Sequence, residues 1–278
     1  MPAVFLVLWS SGFTFVALGL PDAEPVTFLA LRYLVVVVLL LAAAALVRPP
    51  LPLDRAAWVH LAVVGLLLQA GYFGLLYLAL EHVAPAVAAL VVCLQPVLVA
   101  LLAQRTVGEH VPLARWGGLG LGLVGAAAVI VVRADDGGAD LAGIALAVAS
   151  LLAITAATLY ESRFGAEGHP VTSNLVQCSV ALVATGVVAL LAEDLRIDWT
   201  GDLVISLTYL VLGNSLVSIT LLLMMVRRGT ASQVSALFFL VPPLAAVIAW
   251  AILGESLPVA AWGGMAVAAV GVAIATRR

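Results

Sequence analysis

Uninterrupted apolar stretches constrain this chain more than any other feature: residues 33–46 and 61–68, for example, hold no charged side chain. In hydrocarbon every backbone N–H and C=O must be satisfied within the spanning structure, which leaves helices and closed barrels. A helix needs about 20 apolar residues to cross. Such runs, separated by charge, Pro or Gly clusters, recur near 2–20, 27–47, 57–80, 84–104, 113–132, 141–163, 171–192, 203–226, 230–253 and 259–276. They are too long and continuous for lipid-facing barrel strands, which alternate polar and apolar residues. Of 278 residues, 64% are hydrophobic and 10% charged, whereas a soluble domain is roughly half apolar and a quarter charged. Ten spans consume roughly 200 residues, leaving no length for a soluble domain. The predicted fold class is an all-α integral membrane protein with ten transmembrane helices.

Charge placement predicts orientation. With the N-terminus in the cytoplasm, Arg48, Arg55, Arg105, Arg115, Arg163, Arg227, Arg228, Arg277 and Arg278 fall on the cytoplasmic side, while Arg133 and Arg196 fall opposite. Most acidic residues do the reverse, among them Asp22, Glu24, Glu81, Asp140, Glu193 and Asp198. Both termini are expected to be cytoplasmic. The first run follows no basic residue and precedes no small-residue cleavage site, so it is read as a retained helix rather than a secretory signal. All 12 basic residues are Arg, a usage that with heavy Ala, Gly, Val and Leu suggests a bacterial cell membrane. Cys93 and Cys178 lie inside apolar runs and are expected to pack rather than react.

The chain also repeats itself. Gly108-Glu109, Pro112, Trp116-Gly117-Gly118 and Gly125 recur as Gly254-Glu255, Pro258, Trp262-Gly263-Gly264 and Gly271, at an offset of 146. Pro25 matches Pro170 at 145 and Pro96 matches Pro243 at 147. These matches divide the chain into homologous halves, 1–136 and 137–278, of five spans each. An odd number of spans inserts the second half upside down, and inverted repeats of this kind typify secondary transporters with a midplane site between the halves.

These residues resemble the drug/metabolite transporter superfamily, EamA type. The resemblance rests on Trp9-Ser10-Ser11, Pro25 with Leu31-Arg32-Tyr33, Gln95-Pro96, Gly108-Glu109 and Trp116-Gly117 in the first half. Pro243, Gly254-Glu255 and Trp262-Gly263 carry it in the second, where Gln177 stands in the place of the Arg. It implies a cavity surrounded by helices 1, 3, 4, 6, 8 and 9, and export of amino acids, drugs or other small metabolites. Sugars or their derivatives are the alternative cargo.

Polar and aromatic residues inside the runs are the candidate site. Gln69, Tyr72, Phe73 and Tyr77 share one side of the third helix at helical spacing. Gln95 precedes Pro96, whose ring leaves the Val92 carbonyl without its usual donor; the amide either lines the cavity or satisfies that backbone. Asn214 and Ser218 lie mid-helix in the eighth run, where an amide needs a partner helix or a substrate. Trp9, Ser10 and Phe13, together with Thr155, Ser235 and Phe239, complete the expected substrate-binding set, although a hydroxyl can also bond its own helix. Pro96, Pro242 and Pro243 are expected hinges.

Arg32 is assigned to snorkelling or to a structural bond, because the second helix is expected to be peripheral. Glu109 and Glu255 are read as loop anchors, and Glu161 as half of a solvated pair with Arg163. No Asp, Glu, His or Lys stands at the centre of a run, where a charge costs about 3 kcal/mol by insertion scales. A neutral, zwitterionic or aromatic substrate is therefore expected. Proton coupling is confined to peripheral groups such as Glu161, Glu81 or His82, with facilitated diffusion or exchange equally open. No nucleotide-binding GxxxxGK[ST] motif, metal cluster or cofactor signature is present, and no nucleic-acid partner is expected. The partners are a small-molecule substrate and the lipid bilayer. Gly118 and Gly122 form a GxxxG face expected to pack within a monomer, with a weak homodimer as the other option. An intramembrane enzyme would need a nucleophile, base or metal cluster in the membrane, and no such constellation is seen; a non-transporting membrane subunit is the remaining alternative.

Overall fold

The computed structural model describes residues 1–52, 54–83, 88, 91–106, 108, 111–131, 140–165, 169–228, 231–253 and 259–275. Glu109, His110, Arg133, Asp135, Asp136, Glu255, Arg277 and Arg278 lie outside them, and with them the proposed loop anchors.

Helices begin where Pro or a short polar cap meets an apolar run. Helices α1 (Pro2–Gly19), α2 (Pro25–Val47) and α7 (Pro170–Ala192) open on Pro, which lacks only an N–H that the first turn leaves unpaired anyway. Asp54 caps α3 (Arg55–Leu80), Asp140 caps α6 (Leu141–Phe164) and Thr200 caps α8 (Gly201–Arg228), each accepting a first-turn backbone N–H. The remaining helices are α4 (Gln95–Thr106), α5 (Leu113–Val131), α9 (231–253) and α10 (Val259–Ala275). Six of these helices, α1, α2, α3, α6, α7 and α8, are long and apolar enough to cross a membrane. Among the described residues the nearest thing to a strand is one isolated bridge, Ala23 to Ile197.

Two helices share an irregularity. Helix α3 relaxes into π-helical turns over Gly65–Tyr72 and α8 over Leu210–Ser218, and the two segments start 145 residues apart. Widened turns of this kind often occur at functional sites. Neighbouring helices supply donors to backbone carbonyls within them. The Tyr33 hydroxyl of α2 donates to the Gln69 carbonyl at 2.7 Å, and the Asn174 amide of α7 donates to the Ser215 carbonyl at 2.9 Å.

The prolines expected in mid-helix stand instead at helix starts. The chain turns at Cys93–Leu94, so that Pro96 falls in the first turn of α4. A 3-10 turn, Leu237–Leu240, precedes the final segment of α9, Val241–Leu253, which opens on Pro242 and Pro243. Breaking the helix ahead of the ring removes the clash that an interior Pro would create.

Helix α1 packs against α8 and α9, α6 against α3 and α4, and α2 against α7. Helix α5 crosses α10 through glycines. A Cβ built on Gly271 would stand 2.7 Å from the Gly118 carbonyl oxygen, and one on Gly118 would stand 2.5 Å from the Ala275 nitrogen. The GxxxG face is thus consumed inside the chain. At one end of the bundle, the α1–α2 and α7–α8 connections are stitched together. The Glu193 carboxylate accepts from the Val26 and Thr27 N–H groups at 2.9 and 2.7 Å, an anion at a helix N-terminus. Asp22 accepts from the Thr200 hydroxyl at 2.6 Å.

Two predictions follow from this packing. Gly271→Val places carbon against backbone that cannot move aside, and should destabilise the purified protein by about 1–3 kcal/mol, as overpacking does; unchanged thermal unfolding contradicts the close crossing. Burial raises the Glu81 carboxyl above its usual range; His82 opposes this and Glu193 and Glu24 add to it. The folded state therefore holds that proton more tightly than the unfolded chain, so stability is greatest below the ordinary Glu pKa and falls as pH rises through the raised one. Glu81→Gln should flatten the dependence of unfolding temperature on pH just above the ordinary Glu range, by a small amount because the side chain is mostly solvated. An unchanged slope contradicts the assignment.

Candidate functional site

The middle of the bundle is walled by aromatic rings from α1, α3 and α9. Trp9 stacks on Tyr72 with centroids 6.1 Å apart, tilts against Phe73 at 5.7 Å, and meets the edge of Phe238 at 5.3 Å. Burying these rings against one another contributes both area and ring-on-ring geometry.

One charge enters this setting. Arg32 is completely buried, about 10 Å along the axis from the start of α2. Its Nε donates to Ser215 Oγ at 2.7 Å, Nη1 to the Tyr77 hydroxyl at 3.1 Å and Nη2 to Asn214 Oδ1 at 2.8 Å. The guanidinium also lies 4.7 Å from the Phe73 ring centre, within cation–π range. Snorkelling is excluded by this burial, and the bond between helices is present. Helix α2 is peripheral only on its other faces. The sequence carries one signal that finds this residue, a lone Arg followed by Tyr in an otherwise uncharged helix.

Two small cavities adjoin these residues. The first, about 20 Å³, is lined by Trp9, Phe13, Arg32, Tyr72, Phe73, Tyr77 and Asn214, among others. The second, about 10 Å³, is lined by Trp9, Phe13, Val92, Cys93, Phe238, Val241 and Pro242. The first has room for about one water and the second for barely that. Trp9 and Phe13 line both and stand between them. A larger groove of about 850 Å³ runs between α2, α3 and α7 near Arg48 and Arg55, and none of the candidate substrate-binding residues lines it.

The structure thus gathers Trp9, Phe13, Tyr72, Phe73, Tyr77, Asn214 and Pro242 around these cavities. The other candidates line neither of the two. Gln69 accepts from the Tyr33 hydroxyl at 3.1 Å, and its Nε2 has no partner. Gln95 is buried and ties three helices together, its Nε2 donating to Thr158 at 3.2 Å and to Ser235 at 3.1 Å, while its Oε1 is unpartnered. Thr155 donates to the Leu151 carbonyl of its own helix at 2.7 Å. Ser10 and Ser218 are buried with unpartnered hydroxyls. Phe239 lies against α5, where a Cβ on Gly122 would come within 2.5 Å of its ring.

Glu161 departs from the expected solvated pair with Arg163. It is buried and pairs with Arg227 of α8, Nε to Oε1 at 2.5 Å, while Arg163 donates to the Thr106 carbonyl at 2.6 Å. Residues two apart on a helix do not face each other, so each found a partner on a different helix.

Comparison with known proteins gives a consistent result. The family described as EamA-like transporter matches residues 3–131 and again 141–277. An uncharacterized transporter of Bacillus subtilis (strain 168), YvbV, is 23% identical over 95% of this chain and 86% of its own length. A chloroplastic WAT1-related protein of Arabidopsis thaliana is 26% identical over 89% of this chain, which spans 62% of that protein. A solved crystal structure superimposes with a TM-score of 0.82 at 22% identity, covering 99% of this chain and 94% of the other.

The meeting of α1 with Asn214 provides a test of the site's tightness. A Cβ on Gly12 would stand 2.5 Å from Asn214 Nδ2, and Asn214 cannot swing away without leaving Arg32. Gly12→Ala should cost about 1–3 kcal/mol, and the cost should largely vanish in an Asn214→Ala background, since residues in contact are not additive. Equal costs in both backgrounds, measured by thermal unfolding, contradict the contact.

Proposed function

We propose that this chain, which belongs to the EamA-like transporter family, is a ten-helix secondary transporter of the cell membrane working by alternating access. In this reading 1–136 and 137–278 are inverted five-helix repeats with both termini cytoplasmic. The cargo is a small neutral or zwitterionic metabolite, an amino acid or drug-like compound, moved outward. The observation that carries the reading is the pair of small cavities that share Trp9 and Phe13, walled by aromatic and amide side chains from helices of both halves. A constricted site between the halves suits a protein that opens to either side. The chain acts as a monomer, because the small-residue face of α5 is already used against α10.

Quasi-symmetric polar pairs support the alternation. Arg32 of α2 holds Asn214 in the π segment of α8. At an offset of 145, Gln177 of α7 corresponds to Arg32 and Gln69, in the π segment of α3, to Asn214. Gln177 is buried with both amide atoms unpartnered, as is the Nε2 of Gln69. An unmade buried hydrogen bond costs about 1–3 kcal/mol, so a state that closed this second pair while loosening the first would have comparable energy. Near-equal energy of the two states is what alternating access requires.

Uptake of a labelled amino-acid panel into proteoliposomes tests the reading. Saturable flux is expected, and it should persist without a pH gradient. Tyr72→Ala and Gln95→Ala, purified monodisperse, should lower it by about tenfold, the loss of roughly 1.4 kcal/mol. Wild-type flux in both variants would remove these residues from the pathway.

A further inference from the structure

Arg32 carries a charge that no acidic side chain among the described residues pairs with. All three of its nitrogens donate to neutral oxygens, on Ser215, Tyr77 and Asn214. Among the described residues ion pairs join His82 to Asp140 and Arg227 to Glu161, and neither involves Arg32. A guanidinium stays protonated and has five N–H donors in a fixed fork. Three are occupied, leaving one N–H on each terminal nitrogen. Charged side chains inside a membrane are rare, almost always paired, and mark ligand paths.

Packing alone does not explain the charge. At the matching position of the second half the fold accepts neutral Gln177 in an equally buried setting. Arg32 also differs from Gln177 in lining the closed cavity, beside Trp9, Tyr72 and Phe73. A cation with two free donors at the edge of an aromatic cavity is a receptor for a planar anion, because a carboxylate accepts two parallel N–H bonds from one guanidinium.

We infer that the central site binds its cargo through a carboxylate placed on Arg32, with the apolar body of the ligand against Trp9, Tyr72 and Phe73. This rests on the transporter reading of the same cavity and revises its substrate class from neutral or zwitterionic to anionic. Among the described residues no acidic side chain lines the cavity beside Arg32 to answer a ligand ammonium, so a monocarboxylate fits better than a zwitterion. The cavity admits about one water when closed, so the ligand enters only as the bundle opens.

The test is binding of labelled benzoate and labelled benzamide to the full chain in lipid nanodiscs at neutral pH, with empty nanodiscs subtracted. Benzoate should bind at least about tenfold more tightly than the amide of the same shape. Arg32→Gln, which copies the second half, should erase that preference, whereas Arg32→Lys, which keeps the charge, should retain part of it. Equal binding of the two probes to the wild type, or a preference surviving in folded Arg32→Gln, overturns the proposal. If neither probe binds while amino-acid flux is measurable, the transporter reading stands and carboxylate recognition falls. If binding and flux are both absent, both fall.

Discussion

Hydrocarbon offers no hydrogen-bond partner, so each polar group that this chain carries into the bundle must find one there or go without. The fold is organised by that demand. Arg32 ties α2 to α3 and α8, Gln95 ties α4 to α6 and α9, and Glu161 with Arg227 ties α6 to α8. Apolar packing against lipid has little preference for one helix partner over another, and small-residue crossings such as α5 on α10 supply the close contacts that remain. The irregular turns of α3 and α8 belong to the same arrangement, since side chains from α2 and α7 donate to their backbone carbonyls.

Much of this was legible in the sequence, and the residues show why. Apolar run lengths located the helices because crossing a bilayer imposes a length. Gly118 was legible as a packing residue because a missing side chain has one main use in a span. Tyr72, Phe73 and Tyr77 were readable as sharing a helix face from their spacing, and all three line the cavity beside Arg32.

Partnerships between distant helices were not legible. A structural bond from Arg32 was readable as one of two roles, but its partners Tyr77, Asn214 and Ser215 were not, because a helix expected to face lipid still has an inner face. Glu161 was matched with its sequence neighbour Arg163, whereas its partner Arg227 lies 66 residues away. Gln69 and Gln95 were correctly singled out as buried amides, but which atoms they bond depends on the rotation of several helices, and a single run of sequence does not encode that. Pro96 and Pro242 were placed in mid-helix because apolar character continues through them; the helix breaks that put them in first turns leave no mark on hydropathy.

In the alternating-access reading, Trp9 and Phe13, which line both small cavities, form a partition reached from one side of the membrane at a time. Phe13→Cys in a Cys93→Ser, Cys178→Ser background, treated with a membrane-impermeant thiol reagent from each side of sealed vesicles, tests it directly. Slow labelling is expected from both sides, and cross-linking one entrance shut should protect the cysteine from that side while speeding its labelling from the other. Labelling from one side only, or from neither under any condition, contradicts it.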